Sequence, residues 1–388
     1  MIWLKRFRVR SLRWALLPLV ALALTACATG AGSGNPASYP GVSVGDSFVF
    51  VAHGDGVYAV RVDTGVQAWR YPLEPDRNLT FYAAPAVSDD GIVYAGSYEK
   101  SLVALDAASG DPVESFEPPA LDGRVIGSPV VSDDLLLVPT DGGTLFGLDR
   151  HSGELKWSFK SSTDSCGSSS RVPPCLMWSA PLVDGDTAYV ATLSHVLYAL
   201  ELATGRQRWD APLNAAIADT PTLEDGLLLT GVLGESLVAV RSQDGKQSWT
   251  MPTSGWLWGS PAVQDGIAYF GDATPTWWTT KDGLGNVYAV DLTSRDTVWQ
   301  KATGAVSTSP VIVDHQLIVG FENGQLTAYD LADGTVIWEA RAAGTILGDP
   351  VVADGKIIVG VTSPKTVLQA FDSATGAPAW TFPAVTDS

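Results

Sequence analysis

Four histidines and three cysteines are the side chains best suited to acid–base, nucleophilic or metal chemistry in this 388-residue chain. Their spacing offers little of it. His53, His151, His195 and His315 lie far apart, and Cys166 and Cys175 have no nearby histidine to complete a tetrahedral ligand set. No H-E-x-x-H or P-loop motif occurs. The carboxylates recur in a fixed place instead: Asp106, Asp149, Glu201, Asp330 and Asp372 each stand four residues before a glycine, Gly110, Gly153, Gly205, Gly334 and Gly376. An acid there accepts turn N–H groups while glycine supplies a positive φ, so these residues form turns before they do chemistry. What remains unexplained is aromatic. The stretch "DATPTWWTTKDG", residues 272 to 283, places Trp277 and Trp278 side by side in polar surroundings.

The turns belong to a repeat. Aligned with itself, the chain shows eight units led by Pro40, Pro85, Pro129, Pro181, Pro221, Pro261, Pro310 and Pro350, 40 to 52 residues apart. Each unit carries four short apolar runs with the alternation and β-branched content of strands, separated by Asp/Gly turns. Four residues after the turn position comes a tryptophan: Trp69, Trp157, Trp209, Trp249, Trp299, Trp338 and Trp380. The second unit lacks it and has Phe116 nearby, and the sixth has Arg295 where glycine is expected. A four-stranded antiparallel unit of this length cannot bury both faces alone, so copies must stack. An all-β, eight-bladed β-propeller is expected, with each repeat tryptophan packed between blades.

The pattern P-x-V…V-Y-V-G…L-Y-A-L-D-x-x-T-G-x-x-x-W resembles the repeat of pyrroloquinoline-quinone-type propellers over residues 40 to 380. That family includes quinoprotein alcohol dehydrogenases and the BamB-type lipoproteins of the outer-membrane β-barrel assembly machine. The dehydrogenase resemblance implies pyrroloquinoline quinone and calcium near the axis, and in many members a disulfide between adjacent cysteines. This chain has no adjacent cysteine pair and no position matching the calcium ligands or catalytic aspartate. The BamB-type resemblance implies a non-enzymatic scaffold without a cofactor.

The N-terminus reads as an address. Lys5, Arg6, Arg8, Arg10 and Arg13 precede an apolar run from Trp14 to Ala26, too short to span a bilayer. The run ends in Leu24-Thr25-Ala26-Cys27, which resembles a bacterial lipobox and implies lipidation of Cys27; the alternative is an unlipidated secretory leader. The expected organisation is a leader over 1–26, Cys27 and a flexible tether over 27–38, and one propeller over 39–388. Export places Cys166 and Cys175 in an oxidising compartment, where a disulfide is expected across "GSSSRVPP". Without the leader, 19 basic side chains face 42 acidic ones, a net charge of −23 that repels nucleic acid and anionic lipid. The anchor implies the periplasmic face of an outer membrane, or the cell surface where the host has one membrane. Ala28 permits outer-membrane sorting because it is not the aspartate that typically retains lipoproteins at the inner membrane.

Of 14 tryptophans, Trp3 and Trp14 lie in the leader and seven occupy the repeat position. The other five are Trp178, Trp256, Trp258, Trp277 and Trp278. With strands A to D running from the axis outward, D-to-A and B-to-C connections share one rim. All five tryptophans fall on that rim, as does "PDRNLTFY", which carries Phe81 and Tyr82. Insertions gathered on one face of a repeat protein often mark its binding face. Two expectations stand side by side: the rings anchor an envelope protein partner, or they pack on one another to close the channel. A glycan or peptide ligand is a third.

Overall fold

The computed structural model describes residues 40–76, 78–162, 176–274 and 283–383. Each repeat folds into a twisted antiparallel sheet. In the fourth blade the strands are Leu182–Asp184, Thr187–Ala191, Val196–Glu201 and Gln207–Pro212, hydrogen-bonded in chain order. The two middle strands are buried nearly throughout, because blades cover both of their faces, whereas the outermost strand exposes most of its side chains. Asp225-Gly226, Asp265-Gly266 and Asp354-Gly355 all have positive φ at both residues, the hairpin turns that close strands A and B.

The eight sheets form a ring. The apolar core is divided into eight seams, each joining one blade to the next, and the last unites Val49, Val51, Val60 and Val62 of blade 1 with Ile358, Leu368, Ala370 and Phe382 of blade 8. Strand A of blade 1, Gly41–Val44, lies against Val351–Ala353 of blade 8 and Ala86–Val87 of blade 2. Among the described residues each sheet is one contiguous chain segment, so the ring closes by packing and not by exchange of a strand.

The repeat tryptophans make the seams. Each sits opposite a small residue of strand C, such as Ala59 for Trp69 and Gly147 for Trp157, and the register shifts there by a bulge. This turns the indole toward the following blade. An ideal Cβ on Gly110 would lie 2.6 Å from Trp69, and one on Gly205 2.3 Å from Trp157, so the ring rests flat on the bare glycine backbone. The indole N–H of Trp69 donates to Ala107 O at 2.9 Å, Trp209 to Ser242 O at 2.9 Å and Trp299 to Leu331 O at 2.9 Å. Trp380 donates to Val62 O at 2.8 Å and packs on Gly65, which makes the closing seam chemically the same as the others. Burial of each indole stabilises by roughly 4 kcal/mol as an upper bound.

Four of the five repeat acids accept turn N–H groups as their spacing predicts, while Glu201 accepts from the Thr204 hydroxyl at 2.5 Å and from Arg206. Asp106 Oδ1 accepts the N–H of Ala108 and Ser109, Asp149 Oδ1 those of His151 and Ser152, and Asp372 Oδ1 those of Ala374 and Thr375. The bond from Ser152 N–H, helped by other donors in the turn, holds the Asp149 carboxyl down to about 2.

Blade 2 departs from the four-stranded expectation. It has three strands, Ala86–Val87, Ile92–Gly96 and Leu102–Asp106, and only a Leu105–Pro112 bridge in place of the fourth. Without a tryptophan, Phe116 packs on Tyr94 with ring centroids 5.6 Å apart, and the Glu117–Pro118 backbone covers Gly153 where an indole would lie. In blade 6, Arg295 holds a φ of 67° in the glycine position.

Two substitutions test this seam. Gly205→Ala adds a methyl group against Trp157 and strains a positive φ, and should cost about 2–4 kcal/mol in denaturant unfolding. Arg295→Gly relieves left-handed strain and should add up to about 1 kcal/mol.

Candidate functional site

The D-to-A connections cross the rim like short extra strands. Phe81 bridges Gly54 of blade 1 and Ser97 of blade 2, and Trp256 pairs with Ala273. Val125 N–H donates to Ser97 O at 3.0 Å, while Arg124 O accepts Asp141 N–H at 2.9 Å, so one connector ties two adjacent B-to-C turns. The D-to-A and B-to-C connections therefore meet on the same rim.

Side chains alternate along these connectors, as on any extended segment. The residue four before each leading proline points into the seam: Phe81, Val125, Met177, Ile217, Leu257, Val306 and Ile346 are all at most 1% exposed. Glycines at the ends of the second strands make room for several of them. A Cβ on Gly96 would lie 2.3 Å from Val125, and one on Gly231 2.4 Å from Leu257. Phe81 is thus a seam plug in the core between blades 1 and 2 and not a partner-facing residue, a correction to the expectation from its loop. The next residue points the other way, and here Tyr82, Trp178 and Trp258 are half-buried on the rim.

Two aromatic sectors result. In blade 6, Trp256 and Trp258 lie with ring centroids 6.0 Å apart. Their connector is anchored by Asp272, which is completely buried and accepts from Ser254 N at 3.1 Å, Gly255 N at 2.9 Å, Asn286 N at 2.6 Å, Asn286 Nδ2 at 3.2 Å and Tyr288 OH at 2.7 Å. Trp256 and Ala273 exchange backbone hydrogen bonds of 2.9 Å, and Thr274 N–H donates to Leu284 O at 2.7 Å at the base of the enlarged loop. The second sector spans blades 1 to 3. Tyr82 and Tyr98 are 5.3 Å apart, and the Arg124 guanidinium lies 4.2 Å from the Tyr98 ring centroid while pairing with Asp141. Tyr98 and Arg124 were not singled out from the sequence; Arg124 lies in a connector and Tyr98 in the turn it crosses, a juxtaposition that only the ring creates.

Trp178 lies on the rim at blade 4, and its indole nitrogen is buried with no acceptor among the described residues. Cys27, Cys166, Cys175, Trp277 and Trp278 lie outside the described residues, as do the leader and tether. The structure does not bring the histidines together: His53 is half-buried in blade 1 with its pKa lowered by burial, and His151, His195 and His315 are exposed in blades 3, 4 and 7. Among the described residues no three His, Cys, Asp or Glu side chains converge.

The anchoring role of Asp272 is testable. Asp272→Ala leaves the Ser254 and Gly255 N–H groups and the Tyr288 hydroxyl without their buried acceptor, and should cost about 3 kcal/mol in denaturant unfolding. A red shift of tryptophan emission should accompany it; unchanged stability and emission would show that the connector holds itself.

Comparison with known proteins places this architecture. The family model described as outer membrane protein assembly factor BamB matches residues 53–216, 170–274 and 283–388. The BamB of Yersinia pestis is 24% identical over 331 residues, covering 80% of this chain and 69% of that protein. The crystal structure of BamB from Moraxella catarrhalis superposes with a TM-score of 0.65 at 18% identity, covering 83% of this chain and 93% of that one. The quinohemoprotein alcohol dehydrogenase of Comamonas testosteroni superposes with a TM-score of 0.63 at 16% identity, covering 87% of this chain and 72% of that one. At such identities the solved structures share the fold alone. The family match runs through nearly every blade, and on it the chain belongs to the family of the outer membrane protein assembly factor BamB.

Proposed function

We propose that this chain is a non-enzymatic, lipid-anchored envelope scaffold that binds a protein partner of the outer-membrane assembly machinery through its aromatic rim. The observation that carries this reading is the placement of Trp256, Trp258, Tyr82 and Tyr98 on one rim, held by hydrogen-bonded connectors in a chain of the BamB family. Aromatic side chains and arginine on a rigid base are the anchors that carry most interface energy. The acidic surface supports a protein partner over nucleic acid. Trp277 and Trp278 extend the blade 6 sector in sequence and belong to the same proposed surface.

Crosslinking and affinity purification from native membranes test this reading. A barrel-assembly protein should co-purify, and Trp256→Ala with Trp258→Ala should weaken its capture by about thirtyfold, the loss expected for a hot-spot pair. The thermal midpoint serves as the control for folding. Capture undiminished by the double variant, or a purified protein that reduces a dye after loading with pyrroloquinoline quinone and calcium, would overturn the proposal. Lipidation is tested separately: Cys27→Ala should move the protein from the membrane to the soluble envelope fraction.

A further inference from the structure

The residues immediately before the leading prolines of blades 5 to 8 are Thr220, Ser260, Ser309 and Asp349, and hydrogen bonds join them in series. Ser260 Oγ donates to Thr220 O at 2.5 Å, Ser260 N–H to Ser309 Oγ at 2.9 Å, and Ser309 N–H to Asp349 Oδ1 at 2.6 Å. The position one residue earlier is small or uncharged in six connectors: Ala83, Gly127, Ser179, Gly259, Thr308 and Gly348. In the connector of blade 5 it is Asp219. That side chain reaches past Ser260 of blade 6 to place Oδ2 2.9 Å from Ser309 Oγ, and Asp349 Oδ2 approaches the same oxygen at 3.0 Å from blade 8.

The donors do not match the acceptors. A serine hydroxyl has one proton to donate, and Ser309 Oγ faces two carboxylate oxygens while already accepting the Ser260 N–H. With both carboxyls ionised, one contact sets two oxygens against each other with no proton between them. A proton on either carboxyl completes the chain, carboxylic acid to hydroxyl to carboxylate. The groups facing the pair from the other connectors, Thr220, Ser260 and Ser309, are uncharged, and the charge that acts on Asp349 is that of Asp219. We propose that Asp219 and Asp349 hold one proton between them through Ser309, a clasp that ties the connectors of blades 5 to 8 near the axis and slackens when the proton leaves.

The direction of titration agrees. Asp349 is exposed and Asp219 half-buried, but the protein atoms crowded around them displace enough water to raise both carboxyls, against the hydrogen bonds that hold Asp219 down, and the charge of Asp219 adds to the effect on Asp349, pushing it up to about 7. A carboxyl raised in the folded state binds its proton more tightly there than in the unfolded chain. Its stabilising contribution is therefore complete below the ordinary carboxylate pKa near 4 and is lost as pH rises toward 7.

The test uses the full chain and Asp349→Asn, which keeps the shape and a hydrogen-bond donor but cannot ionise. Between pH 4.5 and 7.5 the folded-to-unfolded ratio of the wild type should fall, relative to the variant, by up to about tenfold per pH unit, the linkage of one proton. Infrared spectra of the wild type should show a protonated carboxyl band at pH 5.5 that disappears by pH 8.5, which requires no variant to fold. Parallel pH profiles for the two proteins, or a wild-type spectrum without that band at pH 5.5, would overturn the proposal.

Discussion

An indole laid on a bare glycine backbone is the contact on which the rest of the ring depends. No blade can bury both faces of its sheet alone, and the outer strand can reach its neighbour only through a side chain long and flat enough to cross the gap. Tryptophan does this in seven of eight blades, with a small residue behind it and, in all but Trp249, a turn glycine or its equivalent backbone in front. Because Trp380 meets Gly65 and Val62 in the same manner, the first and last blades need no shared strand to close the circle.

The rim inherits its stiffness from this arrangement. Once the seams set the distance between neighbouring sheets, each D-to-A connector spans a fixed gap and can bond to the turns on both sides. Its alternate side chains are then divided by geometry between the seam and the rim surface. The seam-facing set is apolar and fully buried, whereas the rim-facing set varies from Ala218 and Ser307 to Tyr82, Trp178 and Trp258. Variation at a fixed, rigid position is a means by which one scaffold acquires a particular binding surface.

Features with a short sequence period were legible before the structure. The leading prolines, turn acids and repeat tryptophans recur at fixed offsets, and so do the blades they define. The loss of the fourth strand in blade 2 was foreshadowed by its missing tryptophan. Phe81 was misassigned because its aromatic character was read in isolation; aligned on Pro85 it occupies the same place as Val125, Met177 and Leu257, all seam plugs. The Arg124–Tyr98 stack, 26 residues apart, and the Asp219–Ser309 contact, 90 residues apart, were not legible. They arise between blades, where ring closure and not chain spacing decides which side chains meet.

Pro40 wedges against Gly360 of blade 8, while Gly41 lies against the Tyr82–Ala84 backbone of the first connector. The chain therefore enters its first innermost strand from the aromatic rim. Twelve residues separate Pro40 from Cys27, a leash that cannot exceed about 45 Å when fully stretched. With the proposed lipid on Cys27, the point of attachment to the propeller is on the side that carries Trp256 and Tyr82. The proposed anchor and the proposed docking surface would then share one side of the ring, leaving the opposite rim clear of both.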